Sequence, residues 1–579
     1  MCSEQIKLPT GYSTFDEIRT EGFLYIDKTD YINSLISNNE FKYWFLARPR
    51  RFGKTMFVDT LEHLFRGNSE LFRGLNIYSK GYDFQPAPVI RLNMARSASD
   101  IDELKRSIVS HLTRVATELG LTIKSQIPAE AMEWLIMDLS AKNEGRRVVV
   151  LIDEYDKPIL DHIDKPELAK EIRETLRNFY ISLKNSEKFL RFVFVTGISK
   201  LAKTAIHSAL NNLKDITHWP MFAGICGYTL KEFEDNFSPL FDDFLFVLSK
   251  IDGLNKIKDK KILFNSILSK YNGYSWDGKT KILNPYSINN CFSDKMLGNY
   301  WIDSGPPLFL EHCISNNPTA FLPGNWEKLS AKIIDKTEIG DLRPVSVLFQ
   351  TGYLTISEIT VTADEIVGSD GSISFNVKTF YSLKIPNNEV LESYKIDLFN
   401  NLFPLLIDNG ERDICRSQLI NAIISKDAVK LAEILHCQLA RIAYPEPAEF
   451  QKQWGYALKL GEFLFHTVFQ TFFDGLKLMV ISEAMSSEGR SDIDIILPNN
   501  QFAVVEIKFI PAAEDNKGTK KTKKSPLTAD ILQIMEKKAL EALNQLADTL
   551  QAEKYQNKGR VISVGVVVYG RDRVLVKFG

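Results

Sequence analysis

Between residues 41 and 196 the chain alternates short, nearly uninterrupted apolar runs with longer stretches whose apolar residues recur every three or four positions. The runs Phe41–Ala47, Pro88–Asn93, Arg147–Ile152 and Phe189–Thr196 predict strands, and Thr55–Phe65, Ile101–Leu119 and Glu167–Leu183 predict helices. Strands apolar at consecutive positions, separated by helical stretches, predict a parallel sheet covered by helices on both faces.

After Gly227 the pattern turns mainly helical, over Leu230–Lys250 and Lys261–Tyr271, and is interrupted at Asn272-Gly273 and Asn284-Pro285. Residues 230–356 read as a lid ending in a winged-helix-like segment, with Leu348–Ile356 as a strand. Residues 357–449 read as a β-rich connector followed by helices over Ile396–Ile442, and Pro445-Glu446-Pro447 marks a boundary. The remainder predicts a helix over Trp454–Phe473, strands over Lys477–Ser482, Ile493–Leu497 and Phe502–Lys508, a basic loop, a helix over Ala529–Glu553 and a strand over Val561–Tyr569. The expected divisions are therefore 1–229, 230–356, 357–449 and 450–579, in keeping with a length that exceeds what one hydrophobic core supports.

Composition narrows the class. With 44% hydrophobic and 25% charged residues the chain reads as globular, and 71 basic against 73 acidic residues leave no global field to attract nucleic acid, so any such binding is local. The six cysteines include no C-x-x-C pair, which argues for reduced structural thiols. No basic-then-apolar leader opens the sequence and no run reaches the ~20 apolar residues of a membrane span, so a cytoplasmic location without membrane contact is expected.

Two places carry chemistry. The first is Arg48-Pro49-Arg50-Arg51-Phe52-Gly53-Lys54-Thr55, directly after a predicted strand and opening a predicted helix. A phosphate loop needs inward-facing N–H groups, a lysine for the β- and γ-phosphates and a hydroxyl for magnesium, which Gly53, Lys54 and Thr55 provide. Arg48 replaces the motif's first glycine, so this match alone is weak. Downstream, the apolar strand Val148–Ile152 ends in Asp153 and Glu154. Asp153 is expected to hold hydrated magnesium and Glu154 to orient and deprotonate the attacking water; the plainer alternative is a buried strand running into a charged loop. Thr196, at the end of a third strand, is expected beside the γ-phosphate, although polar strand ends commonly serve only as caps. Arg50 and Arg51 either neutralise phosphate, from this subunit or from a neighbour in a homo-oligomer, or are surface charges.

These residues, with Tyr43–Ala47 before them and Leu151-Ile152-Asp153-Glu154-Tyr155-Asp156-Lys157-Pro158 after them, resemble the bacterial AAA-ATPase-like family. Ser208-Ala209-Leu210-Asn211-Asn212, Tyr271–Tyr274, Asn284–Ser287 and Tyr300–Gly305 add to the resemblance, which spans most of residues 6–356. It implies ATP and Mg²⁺ as cofactors, and an arginine at the first loop position is usual in that family.

The second place is C-terminal. Magnesium-dependent phosphodiester hydrolysis needs carboxylates converging on the metal and a cation near the water. Asp492 opens one predicted strand, and Glu506 and Lys508, two apart on the next, project from one face. Glu462 on the preceding helix is a candidate third carboxylate. Gly489-Arg490-Ser491-Asp492-Ile493-Asp494 and Val504–Lys508, with Gln545 later, resemble the PD-(D/E)XK nuclease superfamily, specifically the domain fused behind AAA-ATPase-like modules. The resemblance implies a restriction-endonuclease-like α/β domain with Asp492 and Glu506 as metal ligands and Lys508 orienting the water; Asp494 competes with Asp492 for the first role. Lys517, Lys520, Lys521, Lys523 and Lys524 either grip a DNA backbone or form a solvated loop.

The expectation is an α/β multidomain protein: a P-loop NTPase with a helical and winged-helix lid, whose nucleotide state controls a magnesium-dependent DNA nuclease, with defence against foreign DNA as its biological role. A switch that binds ATP and uses a non-catalytic nuclease fold to hold nucleic acid or protein remains the alternative. A transposon-associated ATPase is a third possibility, but the sequence shows no separate recombinase motif.

Overall fold

Strands β1 (Tyr43–Ala47), β2 (Val89–Asn93), β3 (Val148–Asp153), β4 (Leu190–Gly197) and β5 (Lys214–Asp215) form one parallel sheet in the order β2-β3-β4-β1-β5. β1 and β3 are buried at every position, which is why Tyr-Trp-Phe-Leu-Ala and Val-Val-Val-Leu-Ile-Asp read as continuous apolar runs. Helix α1 (Lys54–Phe65) covers one face, with Phe57 against Phe194 and Phe65 against Phe192. Helices α2 (Ile101–Glu118), α3 (Pro128–Lys142) and α4 (Pro166–Asn185) cover the other, sharing a core with Phe45, Val150, Ile152 and Val195. The sequence pattern had not marked α3. β4 lies between β1 and β3, so the strand that carries Thr196 separates the phosphate-loop strand from the one ending in Asp153.

The computed structural model describes residues 6–96, 98–200, 206, 209–210, 212–303, 308–316, 321, 326–334, 343–367, 373–440, 442, 460–482, 492–498, 501–510, 528–549, 560–570 and 573–579. Two compact units emerge, Met1–His312 with Trp326–Leu391, and Cys313–Asn325 with Glu392–Gly579.

In the first unit, β6 (Tyr228–Thr229) pairs with β7 (Ile282–Leu283) beside helices α5 (Leu230–Phe237), α6 (Phe241–Leu248), α7 (Lys260–Tyr271) and α8 (Pro285–Asp294). Their core is aromatic, with Phe233, Phe237, Phe241, Phe244 and Phe292 in mutual contact. The single helix expected over 230–250 is broken into α5 and α6 by a 3-10 turn holding Pro239, which cannot donate the hydrogen bond a continuing helix needs. The strand expected over Leu348–Ile356 begins instead as the second half of a helix, α9 (Pro344–Thr351), framed by Pro344 in its first turn and by Gly352 in a left-handed conformation at its end. Extended structure begins only at Thr355: β8 (Leu329–Ser330), β9 (Thr355–Val367) and β10 (Ile373–Lys384) form an antiparallel sheet in the order β8-β10-β9.

The second unit joins helices α10 (Asn409–Ile424), α11 (Ala428–Leu439) and α12 (Leu460–Gly475) to a mixed sheet. Its strands β11 (Met479–Ser482), β12 (Asp492–Leu497), β13 (Gln501–Ile510), β14 (Val561–Tyr569) and β15 (Arg573–Phe578) are neighbours in chain order, and only β13 and β14 run parallel. The connection between those two includes α13 (Ala529–Thr549), as a parallel pair requires a crossover. Phe465, Phe469 and Phe472 of α12 share a core with Val505 and Ile507, whereas Met535, Ala539 and Leu546 of α13 pack with Val567 and Val504. Strand alternation therefore assigns α12 and α13 to opposite faces of the sheet. β15 had no counterpart in the sequence reading.

Candidate nucleotide and nuclease sites

Backbone conformation shapes the phosphate loop. Arg51 and Gly53 both have positive φ, 66° and 88°, and Gly53 is the residue from which α1 starts. A loop turning through left-handed residues into a helix start directs N–H groups inward, and the helix dipole adds positive potential there. Lys54 is buried, and its Nζ donates to the Pro49 carbonyl at 2.9 Å, which holds the ammonium across the loop. Burial pushes its pKa down and the Asp153 carboxylate opposes that shift.

Asp153 is completely buried. Its Oδ1 accepts the Glu154 N–H at 2.9 Å, while its Oδ2 has no hydrogen-bond partner among the described residues. A buried carboxylate oxygen without a donor is costly, and a hydrated cation beside Lys54 and Thr55 would satisfy it. Glu154 takes a left-handed conformation, φ 52°, and burial, reinforced by Asp153, raises its pKa. Asp156 accepts from the Ser199 amide at 2.7 Å and the Ser199 hydroxyl at 2.6 Å, tying the end of β3 to the loop after β4.

Gly53, Lys54, Thr55, Glu154 and Asp156 open onto one cavity of about 880 Å³, which Arg50 and Arg51 also line. That volume is in the range of small-molecule sites. Sequence reasoning gave no role to Asn93, Asp156, Tyr286 or Asn289, all of which line this cavity. Asn93 ends β2 directly across from Asp153, and its signal was a polar residue closing an apolar run. Tyr286 is delivered by Asn284, whose side chain caps α8 by accepting from the Tyr286 and Ser287 N–H groups at 2.9 and 3.3 Å; the Arg51 guanidinium lies over the Tyr286 ring, 4.6 Å from its centroid.

Arg48 and Thr196 have other neighbours, and Phe52 lines the cavity while also packing against aromatic rings. Arg48 is buried, donates to the carbonyls of Ala47 and Thr217 at 2.9 Å each and of Phe222 at 3.1 Å, and stacks on Trp276 at 4.1 Å. Its guanidinium fastens the loop to residues 217–222 rather than facing the cavity, which makes it the counterpart of a core residue. Phe52 is wedged edge-on against Tyr274 and Trp276. The Thr196 hydroxyl donates to the Leu46 carbonyl at 2.8 Å, across to β1. Arg48→Ala is accordingly expected to lower the stability of the first unit by about 3 kcal/mol or more, because three buried carbonyls lose a charged donor. Thermal unfolding monitored by circular dichroism measures this, and an unchanged melting temperature would return Arg48 to the phosphate site.

In the second unit, Glu506 is buried at 2% exposure on β13 and accepts from Lys508 Nζ at 2.9 Å. The register of β12 and β13 sets Asp492 directly across from Glu506, and Asp494 across from Val504. On the other side Glu506 neighbours Gly565 of β14. A Cβ at Gly565 would stand 2.9 Å from the Ala539 carbonyl of α13, so glycine permits that helix to approach the sheet beside Glu506. Glu462 sits in the first turn of α12, the helix on the opposite face from Glu506. Gly489–Ser491 and the lysines from 517 to 524 lie outside the described residues.

A parallel sheet with a Gly-Lys-Thr loop after one strand and two carboxylates closing another has the fold of the P-loop NTPase class, joined here to a mixed-sheet domain with carboxylates on adjacent strands. Residues 9–207 match the family described as predicted AAA-ATPase, and residues 460–578 match the PD-(D/E)XK nuclease superfamily. Over 575 residues the chain is 31% identical to the "Uncharacterized protein in vnfD 5'region" of Azotobacter chroococcum mcd 1, covering 98% of this chain and 97% of that one. The chain belongs to the same family as that protein, and within this chain the AAA-ATPase-like match precedes the PD-(D/E)XK match. Among solved structures, Drosophila ORC with Cdc6 aligns on GC-rich DNA at TM-score 0.19 and 11% identity, covering 48% of this chain and 93% of that one. On AT-rich DNA the values are TM-score 0.17 and 10% identity, with 65% and 91% covered. Likeness at this level carries no argument. Among the described residues no helix is long and apolar enough to cross a membrane.

Proposed function

We propose that this protein binds and hydrolyses ATP at the cavity beneath the Gly53-Lys54-Thr55 loop, and that the nucleotide state controls magnesium-dependent DNA cleavage at Asp492, Glu506 and Lys508. The observation that carries the reading is the buried, unpartnered Asp153 Oδ2 at the end of β3, next to Glu154, which lines the cavity with Lys54 and Thr55. Thr55 and Asp153 would hold the magnesium ion, which supplies charge neutralisation of the phosphates when bound. Lys54 fixes the β- and γ-phosphates, and Glu154 orients and deprotonates the attacking water.

In the second unit, the Glu506–Lys508 ion pair and the register position of Asp492 support the nuclease reading. A buried ion pair adds little stability for its desolvation cost, so chemistry is the better account of its presence. The Asp492 position across from Glu506 favours it over Asp494 as the first metal ligand, and Glu462 remains the weakest candidate. Defence against foreign DNA is the biological role this reading proposes.

Purified protein incubated with plasmid, linear duplex and single-stranded DNA is expected to cut at least one substrate only with Mg²⁺, at a rate that changes when ATP is added. Cleavage indifferent to nucleotide would separate the two activities, and binding without cleavage would establish the switch reading instead. Replacing Lys520, Lys521, Lys523 and Lys524 by Ser is expected to weaken DNA binding and flatten the plot of log affinity against log salt, since fewer counterions are released. Equal slopes for both proteins would make that loop a solvated linker.

A further inference from the structure

Helix α9 meets the backbone of the nucleotide site at two separate points. From Ser346 to Thr351 it is buried at every position. The Gln350 Oε1 accepts from the Lys200 N–H at 2.9 Å, and its Nε2 donates to the Ile334 carbonyl at 3.3 Å. A buried amide is costly unless both ends are satisfied, and here each end is spent on backbone outside α9. Lys200 directly follows Ser199, whose amide and hydroxyl hold the Asp156 carboxylate. The Tyr155 hydroxyl donates to the Ser199 carbonyl at 3.0 Å, a second tie to the same segment. Through that segment Gln350 supports the turn after β3, which presents Glu154 and Asp156 to the cavity.

The second point is the phosphate loop. Gly352 closes α9 with φ 92°, and a Cβ there would stand 2.8 Å from Pro49 Cβ. The helix end therefore touches the loop with no room for a side chain between them. Pro49 is the residue whose carbonyl accepts from Lys54 Nζ. When Lys54 turns to a phosphate, that carbonyl gives up its donor, so the loop keeps its shape only where it is held from outside. Arg48, Pro49, Lys200, Phe349 and Gln350 all line one cavity of about 20 Å³, room for a single water. The phosphate loop, the loop after β4 and α9 thus converge at one place. Neither Gln350 nor Gly352 lines the nucleotide cavity, so each acts through another residue.

We infer that α9 supports the nucleotide site, with Gln350 and Gly352 as positioning residues of different reach: Gln350 sets the turn after β3 for hydrolysis, and Gly352 seats the phosphate loop for binding. This rests on the nucleotide reading proposed above, and its test separates the two. The full chain is assayed for phosphate release over a range of ATP concentrations and titrated calorimetrically with the magnesium complex of ATP. Gln350→Met keeps length and volume while removing both amide contacts, so kcat is expected to fall about tenfold with ATP affinity within about twofold of wild type. Gly352→Ala should reverse the pattern, with affinity about tenfold weaker and kcat at saturation near that of wild type. Gly352→Asn brings the same Cβ on a residue that tolerates left-handed backbone, and covers the case in which the alanine variant does not fold. A merely structural α9 would lower the melting temperature while leaving kcat and affinity of the folded variants unchanged, or would lower both together at both positions. Either result overturns the inference while the nucleotide site stands. Failure of wild type to bind and hydrolyse ATP would overturn the nucleotide reading itself, and the inference with it.

Discussion

Lys54→Ala is expected to abolish ATP binding, while Glu154→Gln binds ATP with near-normal affinity and turns it over about 10²–10⁴ times more slowly. The difference follows from where each side chain acts. Lys54 is buried in the loop and held by the Pro49 carbonyl at 2.9 Å, so its charge is already in place for the phosphates of the ground state. Its removal deletes a contact made before and during the reaction, and affinity falls. Glu154 lines the same cavity next to Asp153, and burial raises its pKa above the ordinary glutamate range, as suits a proton acceptor. Glutamine preserves its shape and removes only the ability to take a proton, so the loss appears in turnover. Calorimetric titration with ATP and a phosphate-release assay check the two halves. Unchanged ATP affinity in Lys54→Ala would remove the phosphate-loop assignment altogether.

The parts legible in the sequence are those where one physical constraint dominates. β1 and β3 are buried on both faces, so their apolar runs could be nothing else, and the residues that close them, Asp153 and Glu154, stood out as charges at the end of a grease-like strand. Glu506 and Lys508 were legible as a pair because strand alternation puts positions two apart on one face, and the 2.9 Å contact between them agrees. α3 was overlooked although Ala131, Met132, Leu135, Ile136 and Leu139 repeat at helical spacing, because no strand-like run separated it from its surroundings. Over 344–351 the apolar residues fit a strand and a buried helix equally well, and Pro344 and Gly352 were the deciding signals.

Arg48 and Thr196 show the limit more sharply. Sequence places both next to the phosphate loop, but only three-dimensional contacts reveal that the Arg48 guanidinium reaches Thr217 and Phe222, about 170 residues away along the chain, and that the Thr196 hydroxyl reaches Leu46. Asn289 is the reverse case: nothing in its neighbourhood in sequence marks it, and the fold brings it to the cavity.

In the second unit the largest effect is expected at Glu506. Glu506→Gln should eliminate DNA cleavage and leave the protein folded, since the amide replaces one oxygen by a nitrogen of nearly the same size within a core whose apolar members, Val505 and Ile507, point to the other face. The loss of one negative charge lowers affinity for the divalent ion, so raising Mg²⁺ or substituting Mn²⁺ should recover part of the activity. Asp492→Asn is expected to behave the same way on the proposed reading, in which Asp492, at the register position directly across the ladder from Glu506, is the second ligand. Lys508→Ala differs in kind. Lys508 donates to Glu506 Oε1 at 2.9 Å, and its removal leaves both carboxylates in place while deleting the cation proposed to orient the water. Metal binding, followed by calorimetry with Mn²⁺, should therefore survive in Lys508→Ala and weaken in the two carboxylate variants, although all three fail to cut. A wild-type protein that cuts while Glu506→Gln cuts equally well would leave the fold intact and move the active site elsewhere.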